Sequence, residues 1–165
     1  MSEQTVLLVH LKPEWDQVET IRMQCRDFLK QCSFNNETVE AVSMVSAELL
    51  ENAVKYGAYQ LDDAIEYCLK IRQDKIIVEV KNPVDETVGS HLQQLDETIQ
   101  WIRGYQNPFE VYVKKLKEVS TKSLMDKDSR LGLVRIAYEG QSILDFFLDQ
   151  DNTLSVSAIF QNQSE

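Results

Sequence analysis

Between residues 36 and 57 the chain carries a run that can bury only one of its faces. Val42, Val45, Leu49, Ala53 and Tyr56 recur at the spacing of an α-helix, so they form a stripe that needs a core to cover it. The same periodicity stacks Glu48 and Asn52 one turn apart on a single face. Glu51 and Lys55 form a second pair at that spacing, acid first, as suits a solvated edge. Asn35 and Asn36 offer a cap for the helix start, with Glu37 just inside it. Gly57 stands where a helix commonly ends in the left-handed region. A carboxylate and an amide on the last turns of a half-buried helix have chemical uses. An amide oxygen suits Mg²⁺ beside phosphate oxygens, and a carboxylate can orient or deprotonate a hydroxyl. A polar helix edge is the simpler account of the pair taken alone.

The flanking segments say what this helix packs against. Residues 5–11 are rich in Val and Leu and read as a strand, stopped by Pro13. Trp15, Val18, Ile21, Cys25, Phe28, Leu29 and Cys32 then repeat at helical spacing, with Glu14 and Asp16 in the dipole-favoured first turn. Residues 64–72 and 76–81 alternate apolar and polar around the polar link Gln73-Asp74-Lys75, the pattern of an antiparallel hairpin ended by Asn82-Pro83. From Val84 to Arg130 the pattern is least regular. Leu92, Leu95, Ile99 and Ile102 predict one helix, and Phe109, Tyr112, Val113, Leu116 and Val119 predict another behind Pro108. These residues are too apolar for a lid that spends its time open, so the segment should cover or partly fill a cleft. Residues 131–139 predict a short helix with Leu131, Val134 and Ile136 inward, and residues 141–149 and 153–160 predict a closing hairpin. The order is that of an α+β fold, a two-layer sandwich with helices over one face of a five-stranded sheet.

Composition narrows the function. A content of 43% hydrophobic and 27% charged residues over 165 residues fits one globular domain. A formal charge of −10 argues against a nucleic-acid backbone as partner and leaves room for a basic protein partner or a locally held anion. Cys25, Cys32 and Cys68 have neither metal nor redox spacing, and three free thiols suit a reducing cytoplasm. No run approaches membrane-spanning length, so no membrane partner is expected. His10 and His91 have no catalytic companions in sequence and read as surface or loop residues; Trp101, Tyr105 and Phe109 read as core.

In element order and in two short motifs the chain resembles the GHKL ATPase superfamily, whose nucleotide site is the Bergerat fold. Within it the likeness is greatest to the stand-alone anti-sigma-factor serine kinases of bacterial partner-switching systems. Glu48-Leu49-Leu50-Glu51-Asn52-Ala53 matches the family's E-x-x-x-N-A box, and Leu131-Gly132-Leu133 resembles its distal glycine box at a helix start. The resemblance implies a single domain, 1–165, with 84–130 as a helical insertion at the lid position. It implies Glu48 as catalytic base, Asn52 as the Mg²⁺ ligand, and Asn82, Asp85, Arg130 and Gly132 as nucleotide contacts.

The family's D-x-G-x-G is replaced. Asn82 stands at the Asp position, Val84 and Glu86 at the two glycines, and Ser129-Arg130 where glycines open the distal box. Side chains then stand where backbone would approach a ligand, and Glu86 adds negative charge. ATP and Mg²⁺ binding is therefore expected to be weak or absent. Two functions remain open at this point. One is a cytoplasmic regulator acting through contacts with a sigma factor or an anti-anti-sigma-like protein, with which a homodimer is compatible. The other is an active ATP- and Mg²⁺-dependent serine kinase on such a partner.

Overall fold

The computed structural model describes residues 5–73, 75–104 and 131–161. Its elements run β1 (Thr5–Leu11), α1 (Trp15–Gln31), α2 (Asn36–Tyr56), β2 (Ile65–Arg72), β3 (Lys75–Pro83), a 3₁₀ turn (Glu86–Val88), α3 (Gly89–Arg103), α4 (Leu131–Tyr138), β4 (Ser142–Leu148) and β5 (Thr153–Gln161). All five strands join one antiparallel sheet in the order β1-β2-β3-β5-β4. Both expected hairpins thus share a sheet, welded by the pairing of β3 with β5 from Lys75–Gln161 to Pro83–Thr153.

Alternation along the strands decides which face is covered. Ile65, Tyr67 and Leu69 of β2, Ile76, Val78 and Val80 of β3, and Ala158 and Phe160 of β5 are all buried with the helices. Against them lie Val18, Ile21, Cys25 and Leu29 of α1 and Val39, Val42, Val45, Leu49, Leu50 and Ala53 of α2. The opposite face is open and mixed. It carries Glu66, Lys70, Glu79 and Lys81 beside the exposed Val6, Leu8, Ile143 and Phe147.

A small polar knot crosses the core. The Tyr67 hydroxyl lies 2.8 Å from the Ser46 hydroxyl, which also donates to the Val42 carbonyl and sits 3.6 Å from the Cys25 sulfur. Every buried polar atom there has a partner, which is what lets α2 press a serine into an apolar layer. Burial pushes the Cys25 thiol and the Tyr67 hydroxyl upward, so both stay neutral near pH 7. All three cysteines are free.

Of the two asparagines expected to offer the cap, Asn35 caps α2 as foreseen, its side chain accepting from the Thr38 N–H at 2.8 Å. Several other local expectations change. Gly57 is extended, at φ −72° and ψ 156°, rather than left-handed. The Tyr59 hydroxyl satisfies the end of α2 instead, donating to the Ala53 carbonyl at 2.6 Å. The glycine serves close approach, since a Cβ at position 57 would meet the Tyr59 ring. Pro83 is the last rung of β3 rather than a stop after it, because a terminal rung can spare its N–H; its carbonyl accepts from Ala58 N–H. Trp15 is exposed although it falls in the helical register, because it is the first residue of α1. Helix α3 matches the expected apolar repeat: Leu95 and Ile99 are buried, while Leu92 and Trp101 are half-buried. The expected helix over residues 109–119, with Tyr105, Phe109 and Leu116, lies outside the described residues.

Candidate functional site

The last turns of α2 face a cleft closed by the ends of β3 and β5, by α3 and by α4. Asn52, Asn82, Tyr56, His91, Leu95 and Leu133 are among its lining. Asn52 arrives from α2 because the 3.6-residue period that buries Leu49 and Ala53 turns it toward the sheet end. Asn82 arrives from β3 as the next inward position after Val80 and is itself buried. Its amide donates to the Pro83 carbonyl at 3.1 Å. The open space left between these groups is about 20 Å³, room for roughly one water molecule.

What fills the cleft is α3. The His91 imidazole stacks on the Tyr56 ring at 3.7 Å between centroids and 13° between planes. Lys55 places its ammonium 4.9 Å from the centre of the same ring. His91 is therefore a cleft residue on a helix, not the surface or loop histidine expected. Its partner lies 35 positions earlier in the chain, and no local pattern announces the pairing.

Glu48, one turn before Asn52, does not line this cavity. Its carboxylate meets the Arg135 guanidinium at 3.1 Å, and Arg135 also holds Glu139 at 3.1 Å. Burial raises the Glu48 carboxyl above its ordinary range; Glu51 raises it further, Arg135 pulls it back, and Glu139 raises it again. Gly132, in the first turn of α4, is pressed against the same carboxylate, which any Cβ at that position would strike. Gly132 and Glu48 are thus neighbours, and Asn52 and Asn82 line one cavity.

The remaining expected contacts do not join them. Asp85 is exposed and spends its carboxylate on Thr87, accepting from the backbone N–H at 2.9 Å and the hydroxyl at 2.5 Å. Those two bonds hold it below the usual carboxylate range. Glu86 is exposed on the 3₁₀ turn and adds no charge to the cavity wall, whereas Val84 is buried and tied by its N–H to the Asn152 carbonyl at 2.9 Å. Arg130 lies outside the described residues. Arg135 was not among the expected site residues. Its spacing to Glu139 is visible in sequence, but its approach to Glu48 spans 87 positions.

A second, larger cavity of about 610 Å³ opens beside the first turns of α2, lined by Glu37, Glu40, Met44, Arg135, Glu139 and Phe160 among others. Among the described residues there is no cluster of His, Cys, Asp and Glu able to hold a metal, and no helix long and apolar enough to cross a membrane.

No protein-family model matches this chain, and no curated protein matches it in sequence. Solved structures do match. A chain in the crystal structure of the SiaB–SiaC complex from Pseudomonas aeruginosa is similar over 93% of this chain and 88% of its own length. The TM-score is 0.72 and the sequence identity 20%. The likeness is one of fold.

Proposed function

We propose that this protein is a regulator of the partner-switching type, built on a GHKL-like Bergerat fold and acting by binding a protein partner. The observation that carries the reading is the cleft. At the end of α2, where the resembled family holds nucleotide, the cavity that the described residues line has about 20 Å³, against the several hundred Å³ of an ordinary ligand site. So small a space supports weak or absent nucleotide binding. His91 on Tyr56, and Leu95 behind them, occupy the place with the chain's own side chains. The similar solved chain belongs to a complex of two proteins, which supports a protein as the ligand here. A sigma factor or an anti-anti-sigma-like protein is the partner class the resemblance names. The cytoplasm is the compartment that three free cysteines favour.

Glu48 and Asn52 support a second reading, a protein serine kinase whose cleft opens when α3 moves. A pure binder has no need of both. Here Asn52 already faces Asn82 across the cavity, and Asn52 would hold the Mg²⁺. Glu48, whose carboxyl is raised by burial, would accept the proton of a partner hydroxyl.

The test is reconstitution. A partner isolated by affinity capture and then purified should bind this chain directly, with sub-micromolar affinity by calorimetry, in the absence of nucleotide. A complex that forms only with Mg²⁺–ATP present would overturn the first reading in favour of the second.

A further inference from the structure

Glu48 is a half-buried carboxylate with two acidic neighbours. Glu51 follows it on α2 and Glu139 stands just past the end of α4, and both oppose its ionisation, as does its burial. The group that offsets them is Arg135, which bridges Glu48 and Glu139 with one nitrogen on each, both at 3.1 Å. Arg135 is well placed for this. Gly132 lies in the first turn of its helix, where the missing side chain lets α4 settle directly on the Glu48 carboxylate. One turn of helix then carries position 135 onto the same face. The guanidinium also forms part of the wall of the 610 Å³ cavity, whereas Glu48 itself does not reach that wall. A planar, permanently charged fork suits this double duty better than an ammonium would.

We infer that Arg135 is the positioning residue for Glu48, holding its carboxylate in one place at the α2–α4 junction, between the closed cleft and the acid-lined cavity. The role in catalysis rests on the second reading above, in which Glu48 takes a hydroxyl proton. The positioning itself does not depend on it. Without Arg135 the described charges acting on the carboxylate, Glu51 and Glu139, both oppose its ionisation, and a proton is its cheapest remedy.

The test follows the Glu48 carboxyl carbon by NMR across a pH titration of the protein alone, assigned by its disappearance in Glu48→Gln. In Arg135→Gln its midpoint should move up, and in Arg135→Lys it should return most of the way toward the native value. In Glu139→Gln, which keeps the guanidinium and removes a like charge, it should move down. The last variant carries the test if Arg135→Gln does not fold. A Glu48 midpoint that stays put in Arg135→Gln, or in Glu139→Gln where only that variant folds, would overturn the inference. No nucleotide or partner enters the experiment, so its failure is separate from a failure of the kinase reading.

Discussion

Replacing both His91 and Leu95 by Ala should raise the affinity for Mg²⁺–ATP by roughly 100-fold. On the proposed reading packing closes the cleft, so a nucleotide would bind only the fraction of molecules in which α3 has moved away, and the apparent affinity would fall by that fraction. Cutting a buried leucine to Ala removes about 2–5 kcal/mol of packing, and an aromatic stack is worth about 0.5–1.5 kcal/mol. Leu95 is 3% exposed, and His91 lies 3.7 Å from the Tyr56 ring, so both losses fall on the closed state. At about 1.4 kcal/mol per decade, even half of that sum gives one to two decades. The same variant should melt lower than the native protein. Calorimetry on the two proteins side by side checks the first effect, and a thermal scan the second. Equal nucleotide affinity in both would mean that α3 is not what closes the site.

Gly140→Ala should be among the most damaging single-methyl changes in the chain. Gly140 is buried at the turn from α4 into β4, with its N–H bonded to the Arg135 carbonyl. A Cβ there would strike a methyl of Val45 and the backbone carbonyl of Ile136. The valine can rotate but the carbonyl cannot, so the end of α4 must shift. Overpacking of this kind costs about 1–3 kcal/mol. For a chain of this size that is a fall of roughly 3–10 °C in Tm. Gly89→Ala is the control. Its Cβ would meet nothing within 4 Å and its backbone is already helical, so it should gain about 0.4–1 kcal/mol by restricting the unfolded chain. Thermal unfolding of the pair should show opposite signs.

The contrast between those glycines marks what the sequence makes legible. Helix α2 could be read residue by residue, because Val42, Val45, Leu49 and Ala53 have only one face to bury, and all four are buried. The alternation in β2 and β3 was equally plain, and both hairpins took their places in one sheet. The site was legible where it is local. Glu48 and Asn52 sit one turn apart because the helix period puts them there, whatever surrounds them. What the sequence hides is long-range. His91 on Tyr56, Arg135 on Glu48 and Gly132 under the same carboxylate each join residues at least 35 positions apart. Gly57 shows the reverse limit. A glycine at a helix end has two uses, left-handed backbone and close approach, and only the Tyr59 ring decides between them.

The proposal of a partner-binding regulator turns on the small space that the described residues leave at the end of α2. Titrating the native protein with Mg²⁺–ATP in a calorimeter tests this most directly. No saturable heat is expected below the millimolar range, since about 20 Å³ of space and a packed α3 stand where the resembled family would admit a nucleotide. Tight binding that requires Mg²⁺ and is lost in Asn52→Ala would contradict it, and would make Glu48 and Asn52 the working parts of a kinase.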